Sequence, residues 1–152
     1  MNPQAAQSYL KTRVLTATPE QLQMMLYDGA IRFCEQARPA IERKDWETTY
    51  TSLSGAQRIV NELITSLRRD LQPELCEQLA ALYTYIYRKL VEACAQHKLD
   101  SLDEALRQLR FQRETWAMLM EQLGKQKAAT AARAVPFSAP SARMEASISI
   151  QG

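Results

Sequence analysis

Four stretches with helical apolar periodicity are joined in this sequence by connections of only a few residues, near 42–44, 71–72 and 98–101. Connections that short force neighbouring helices to run antiparallel. With roughly 22–26 residues each, the helices should be about 33–39 Å long at 1.5 Å rise per residue. The predicted architecture is all-α, an antiparallel up-down four-helix bundle, and 152 residues suffice for one such domain with a real core. Only four glycines and an abundance of Leu, Ala, Gln, Glu and Arg agree with a helical chain.

Boundaries follow from capping chemistry. The first predicted helix runs from Pro19 to about Ile41, with Thr18 as N-cap, Pro19 in the first turn and Gln21 completing a capping box. Arg38-Pro39 should weaken its last turn. The second starts at Asp45 and carries Trp46, Leu53, Val60, Ile64 and Leu67 on one side. Pro73 opens the third, whose apolar face is Leu75, Leu79, Leu82, Ile86, Leu90 and Ala93. A Ser101–Glu104 capping box should start the fourth, ahead of Leu102, Leu106, Leu109, Trp116, Met120 and Leu123, and Gly124 should stop it. The predicted organisation is an irregular N-terminal arm over 1–17, the bundle over 18–124, and a disordered tail over 125–152. The tail is rich in Ala, Ser and Pro and too poor in periodic apolar residues to offset its ordering entropy.

Composition narrows the function. Residues 1–124 carry 15 Lys/Arg against 16 Asp/Glu, and 125–152 carry 4 against 1, so the folded part is near neutral. Without a basic face, nucleic-acid binding is not expected. Cys34, Cys76 and Cys94 are odd in number, widely spaced and free of any Cys-x-x-Cys pair, which fits core thiols in a reducing compartment. The N-terminus lacks the basic and apolar regions of a secretory signal, and no apolar run approaches a membrane span. A cytoplasmic protein without membrane insertion is the expectation. With His97 the only histidine, a multi-histidine metal site is ruled out. Glycine-rich phosphate loops and activated nucleophiles are also missing, so neither an enzyme nor a cofactor is expected. One alternative is a phosphotransfer bundle using His97; the plainer reading is a histidine held by a helix C-terminus.

The first helix carries apolar residues on two sides. At about 100° per residue, Leu22, Leu26, Gly29, Phe33 and Ala37 line one face, read as core, while Met24, Tyr27 and Ile31 line the opposite one. On the fourth helix Phe111 and Met118 lie about 180° from the Trp116 stripe, and Ile59 stands at the margin of the second helix's apolar arc. Met24, Tyr27, Ile31, Ile59, Phe111 and Met118 are therefore the candidate contacts for a partner. Tyr9, Val14 and Leu15 in the arm are a candidate cover that a partner would displace. Pairing of these stripes between copies of the chain is the other possibility.

Leu26–Phe33 reads LYDGAIRF behind the Thr18-Pro19-x-x-Leu22 start, with Tyr9 and Val14 ahead of it. Ala56-Gln57-Arg58-Ile59-Val60 with Glu62-Leu63, then Leu82-Tyr83-x-Tyr85, then Glu114-Thr115-Trp116 follow in order. Over about residues 5–120 this combination resembles the flagellar secretion chaperone family. The chain departs from that pattern at Ala93-Cys94, where Ala-Asn is common, and at Leu71-Gln72-Pro73, which lacks a frequent glycine. The resemblance implies a cytosolic, non-enzymatic export chaperone of helical-bundle fold. Its client would be the disordered C-terminal segment of unassembled flagellin, held back from premature polymerisation and delivered to the flagellar export apparatus.

Overall fold

The computed structural model describes the backbone of residues 2–151 and the side chains of residues 2–133. Its helices are α1 (Pro3–Thr16), α2 (Pro19–Glu42), α3 (Trp46–Thr65), α4 (Pro73–Gln96) and α5 (Leu99–Gln151), and no strand occurs among the described residues. The chain divides into two compact units, Met1–Thr115 and Trp116–Gly152.

In the first unit, α2, α3, α4 and the opening turns of α5 form an antiparallel bundle. Gly29 faces Ile59 and Gly55 faces Phe33, so α2 and α3 run in opposite directions. Asp28 pairs with Arg113, Glu35 with Arg110 and Arg38 with Asp103, which sets α5 antiparallel beside α2. The core is built from Tyr27, Ile31, Cys34, Leu53, Val60, Leu63, Tyr83, Ile86, Leu90, Leu102 and Leu109, among others.

Two of the predicted caps form as read. The Thr18 hydroxyl accepts from Gln21 N at 3.1 Å while Gln21 Oε1 accepts from Thr18 N at 3.0 Å. Asp45 Oδ1 accepts from Thr48 N at 3.1 Å, and the Thr48 contacts hold the Asp45 carboxyl below its ordinary range. α2 passes through Pro39 and ends three residues later, with Arg43 N donating back to the Pro39 carbonyl at 3.0 Å.

Three expectations are corrected. The N-terminal arm is helical, not irregular: Asn2 accepts from Gln4 N at 3.1 Å, Pro3 fits the first turn, and Thr12 and Thr16 hydroxyls donate to carbonyls one turn back. No residue of α1 is buried, so its helicity is local, and an apolar-stripe criterion had nothing to detect. The Ser101–Glu104 box does not start α5, which begins at Leu99. Ser101 is instead buried, and it helps Lys89 to hold the Glu92 carboxyl below its ordinary range. Gly124 does not stop α5 either. A helical glycine costs about 1 kcal/mol relative to alanine, and the run after it, Lys125–Arg133, is rich in strong helix formers. The described side chains of 121–133 are all exposed. The tail predicted over 125–152 lies, from residue 134 onward, outside the residues whose side chains are described.

Candidate functional site

Ala37 is buried as expected, but for the large side chains packing reverses the expected faces of α2. Its buried stripe is Tyr27, Ala30, Ile31, Cys34, Ala37, Ala40 and Ile41. Leu22, Leu26, Gly29 and Phe33 recur at i, i+4, i+7 and i+11, one line along the helix, and Gly29 and Phe33 turn this line toward α3. There Leu22 is 36% exposed and Leu26 and Phe33 are half-buried, as is Ile59 opposite them on α3. The result is an apolar strip along the α2/α3 seam, open to solvent on one side.

Glycines hold the strip flat. A β-carbon at Gly55 would lie 2.8 Å from the Phe33 ring, and one at Gly29 would lie 3.0 Å from Ile59 Cδ1. Each glycine thus receives the large side chain of the facing helix, which keeps both side chains low across the seam.

The six predicted contact residues separate accordingly. Tyr27 and Ile31 belong to the core, at 2% and 9% exposure, so their placement on an outward face is corrected. Met24 is half-buried beside a groove where α1 joins α2, shared with Arg13, Gln21, Met25 and Asp28. Ile59 lies on the α2/α3 strip. Phe111 is exposed on α5 within the first unit, and Met118 is exposed in the second unit. Tyr9, Val14 and Leu15 are exposed on α1. Leu22, Leu26 and Phe33, which line the strip with Ile59, were read from the sequence as core.

The α2/α5 seam has a different character. Arg38 bonds both oxygens of Asp103, at 2.9 and 3.3 Å, and with Asp28–Arg113 and Glu35–Arg110 this makes a ladder of charges along the seam. Each pair is substantially exposed and contributes little stability. Seating apolar side chains there would require stripping water from these charges.

At the start of the bundle, Tyr27 and Tyr83 hydroxyls meet at 2.5 Å and Gln23 Nε2 donates to both. Burial, followed by Tyr27, pushes the Tyr83 phenol strongly upward, so it stays protonated. At the other end His97 caps α4 at φ 56°, and its ring stacks on Trp46 at 3.8 Å and 12°. His97 is thus a terminal capping residue, not a mid-helix group. Burial raises the Cys34 thiol to about 12, and Cys76 donates to the Arg68 carbonyl, roles consistent with packing rather than chemistry. Among the described residues no cluster of candidate metal ligands occurs, and no helix is long and apolar enough to cross a membrane.

Comparison with known proteins fits this fold. A family model described as "Flagellar protein FliS" matches residues 1–123. The chain belongs to the FliS family. The flagellar secretion chaperone FliS of Bacillus subtilis is 36% identical over 120 residues, covering 79% of this chain and 87% of that protein. The Escherichia coli FliS is 30% identical over 112 residues, covering 73% of this chain and 82% of its own length. A solved structure titled "Crystal structure of flagellar chaperone from bacteria" superposes with a TM-score of 0.65 at 19% identity, over 78% of this chain and 97% of that one. This FliS-family chain is therefore a flagellar-chaperone relative of helical-bundle fold, and residues 124–152 fall outside the family match.

Proposed function

We propose that this chain is a cytoplasmic export chaperone that binds the disordered C-terminal segment of unassembled flagellin along the α2/α3 seam. The observation that carries the reading is the strip of Leu22, Leu26, Phe33 and Ile59, apolar, partly exposed and held flat by two glycine contacts. Membership in a family of flagellar secretion chaperones supports a client that belongs to the flagellum.

The physics of the interaction is that of an amphipathic segment laid into a helix–helix groove. Ordering such a client costs about 2–5 kcal/mol. At about 25 cal/mol per Å² this is offset by roughly 100–200 Å² of extra apolar contact, within reach of a few half-covered aliphatic side chains and one ring. Occupying the client's apolar face prevents flagellin from polymerising early, and release at the export apparatus needs only that binding be reversible. Tyr9, Val14 and Leu15, exposed on α1, are the proposed cover for the strip between clients. Met24 and Phe111 are proposed secondary contacts of the same unit, and Met118 a separate one.

Calorimetric titration tests the client. Flagellin monomer should bind this chain with measurable heat, whereas flagellin lacking its C-terminal segment should give none. Equal binding of the two forms would refute the reading.

A further inference from the structure

The two helices that carry the apolar strip are held to different degrees. On α3, Ile59 is flanked along the chain by the buried residues Ala56, Val60 and Leu63. On α2, no residue from Pro19 to Leu26 is buried, and the buried stripe opens at Tyr27. Leu22 and Leu26 therefore belong to about two turns that remove little apolar surface from water. Segments with few buried contacts open at low free-energy cost, so polar ties weigh heavily in keeping these turns docked.

Gln23 and Tyr27 supply such ties. They directly follow Leu22 and Leu26 in the chain, and both reach one atom of α4, the Tyr83 hydroxyl. Tyr27 meets it at 2.5 Å and Gln23 Nε2 donates to it at 3.4 Å, while Gln23 also donates to the Tyr27 hydroxyl at 3.0 Å. The Gln23–Tyr27 bond lies within α2 and cannot fix that helix to anything else. The two bonds that cross to α4 both end on Tyr83, which is itself 1% exposed in a helix whose core residues include Ile86 and Leu90. Successive helical residues stand about 100° apart. Holding Gln23 and Tyr27 against α4 therefore also sets the direction in which Leu22 and Leu26 project.

On the reading that the client lies in the α2/α3 seam, we infer that Tyr83 is a positioning residue for the strip. Its hydroxyl, through Gln23 and Tyr27, keeps the first turns of α2 docked and presents Leu22 and Leu26 on the same seam as Ile59. A client finds the strip complete only in the docked state, so its apparent affinity scales with the docked fraction.

Tyr83→Phe removes the shared hydroxyl and keeps the ring. In hydrogen exchange on the full chain, the backbone amides of Gln23 to Leu26 should exchange about fivefold faster, the weight of one hydrogen bond. Calorimetric titration should show flagellin monomer bound about two- to fivefold more weakly. Gln23→Leu, at a half-buried position, should move both readouts in the same direction. Ile41→Val trims a buried side chain at the far end of α2 and lowers overall stability by a similar factor, yet it should alter neither readout. Unchanged exchange of those amides in Tyr83→Phe would overturn the inference, as would an equal loss of flagellin affinity in Ile41→Val. So would full affinity in Tyr83→Phe while Ile59→Glu weakens binding. Full affinity in Ile59→Glu would instead overturn the α2/α3 reading itself, and this inference with it.

Discussion

The Phe33 ring lies so close over Gly55 that a β-carbon added there would sit 2.8–2.9 Å from three of its ring atoms. The reciprocal contact, Ile59 over Gly29, involves a single flexible methyl at 3.0 Å. Alanine in a helix is favoured over glycine by about 1 kcal/mol, so the two substitutions should differ in sign. Gly55→Ala should destabilise by about 1–3 kcal/mol, because a ring wedged between helices cannot yield without moving α2. Gly29→Ala should be neutral or slightly stabilising, since Cδ1 can turn aside. Urea unfolding of both variants measures the difference directly.

The buried Tyr27–Tyr83 pair makes a second prediction. Tyr83→Phe leaves the Tyr27 hydroxyl with Gln23 as its partner at 3.0 Å, and Tyr27→Phe leaves Tyr83 with Gln23 at 3.4 Å. Each should cost about 1 kcal/mol, and the double Phe variant less than the sum, because both hydroxyls then leave the core together. A double-mutant cycle by chemical denaturation reads the coupling.

Acid should unfold the bundle in a window set partly by Glu104. Hydrogen bonds from Arg107 first, then Gln108 and Tyr85, hold its carboxyl down to about 2, against an ordinary value of 4.5. A depressed pKa in the folded state contributes stability that is fully present above the unfolded value and is lost as pH falls through the folded one. Melting temperature should therefore decline between about pH 4.5 and about pH 2, and Glu104→Gln should flatten part of that decline. An unchanged profile in the variant would show that Glu104 is not one of the groups responsible.

Lys44 occupies the left-handed region at φ 60° in the connection between α2 and α3, on an exposed side chain. Glycine adopts that conformation without steric cost, so Lys44→Gly should raise stability by about 0.5–1 kcal/mol. His97 shares the conformation at φ 56° but also stacks on Trp46, so His97→Gly gains less and should alter Trp46 fluorescence. Thermal melts and emission spectra separate the two effects.

Helix positions and the order of the bundle could be read from the sequence because caps and short connections are local signals. The α2 capping box and the Asp45 cap are made by residues three apart, with no dependence on tertiary context. The orientation of α2 was not legible. Cys34 and Ala37 are buried as expected. Ala30 and Ala40 weigh little in any stripe of large apolar residues, yet they too are fully buried. Their small size lets the neighbouring helices approach, which turns the bulkier Leu22, Leu26 and Phe33 out to the seam. Tyr27 looked amphipathic enough for a surface, but Gln23 and Tyr83 satisfy its hydroxyl inside the core. The outward apolar face was consequently drawn on the side of α2 where Tyr27 and Ile31 are buried, while Ile59 on α3 is half-buried and stays a proposed contact.

The most direct measurement compares two charge substitutions for flagellin affinity, with the fold checked by melting. Ile59→Glu places a carboxylate in the α2/α3 strip, and Phe111→Glu places one on the exposed face of α5. The account predicts that Ile59→Glu weakens binding of the flagellin C-terminal segment by at least about tenfold, or about 1.4 kcal/mol, while the melting temperature holds to within a few degrees. Phe111→Glu should have a much smaller effect. Full affinity in Ile59→Glu, with the loss appearing in Phe111→Glu instead, would contradict the assignment of the client to the α2/α3 seam.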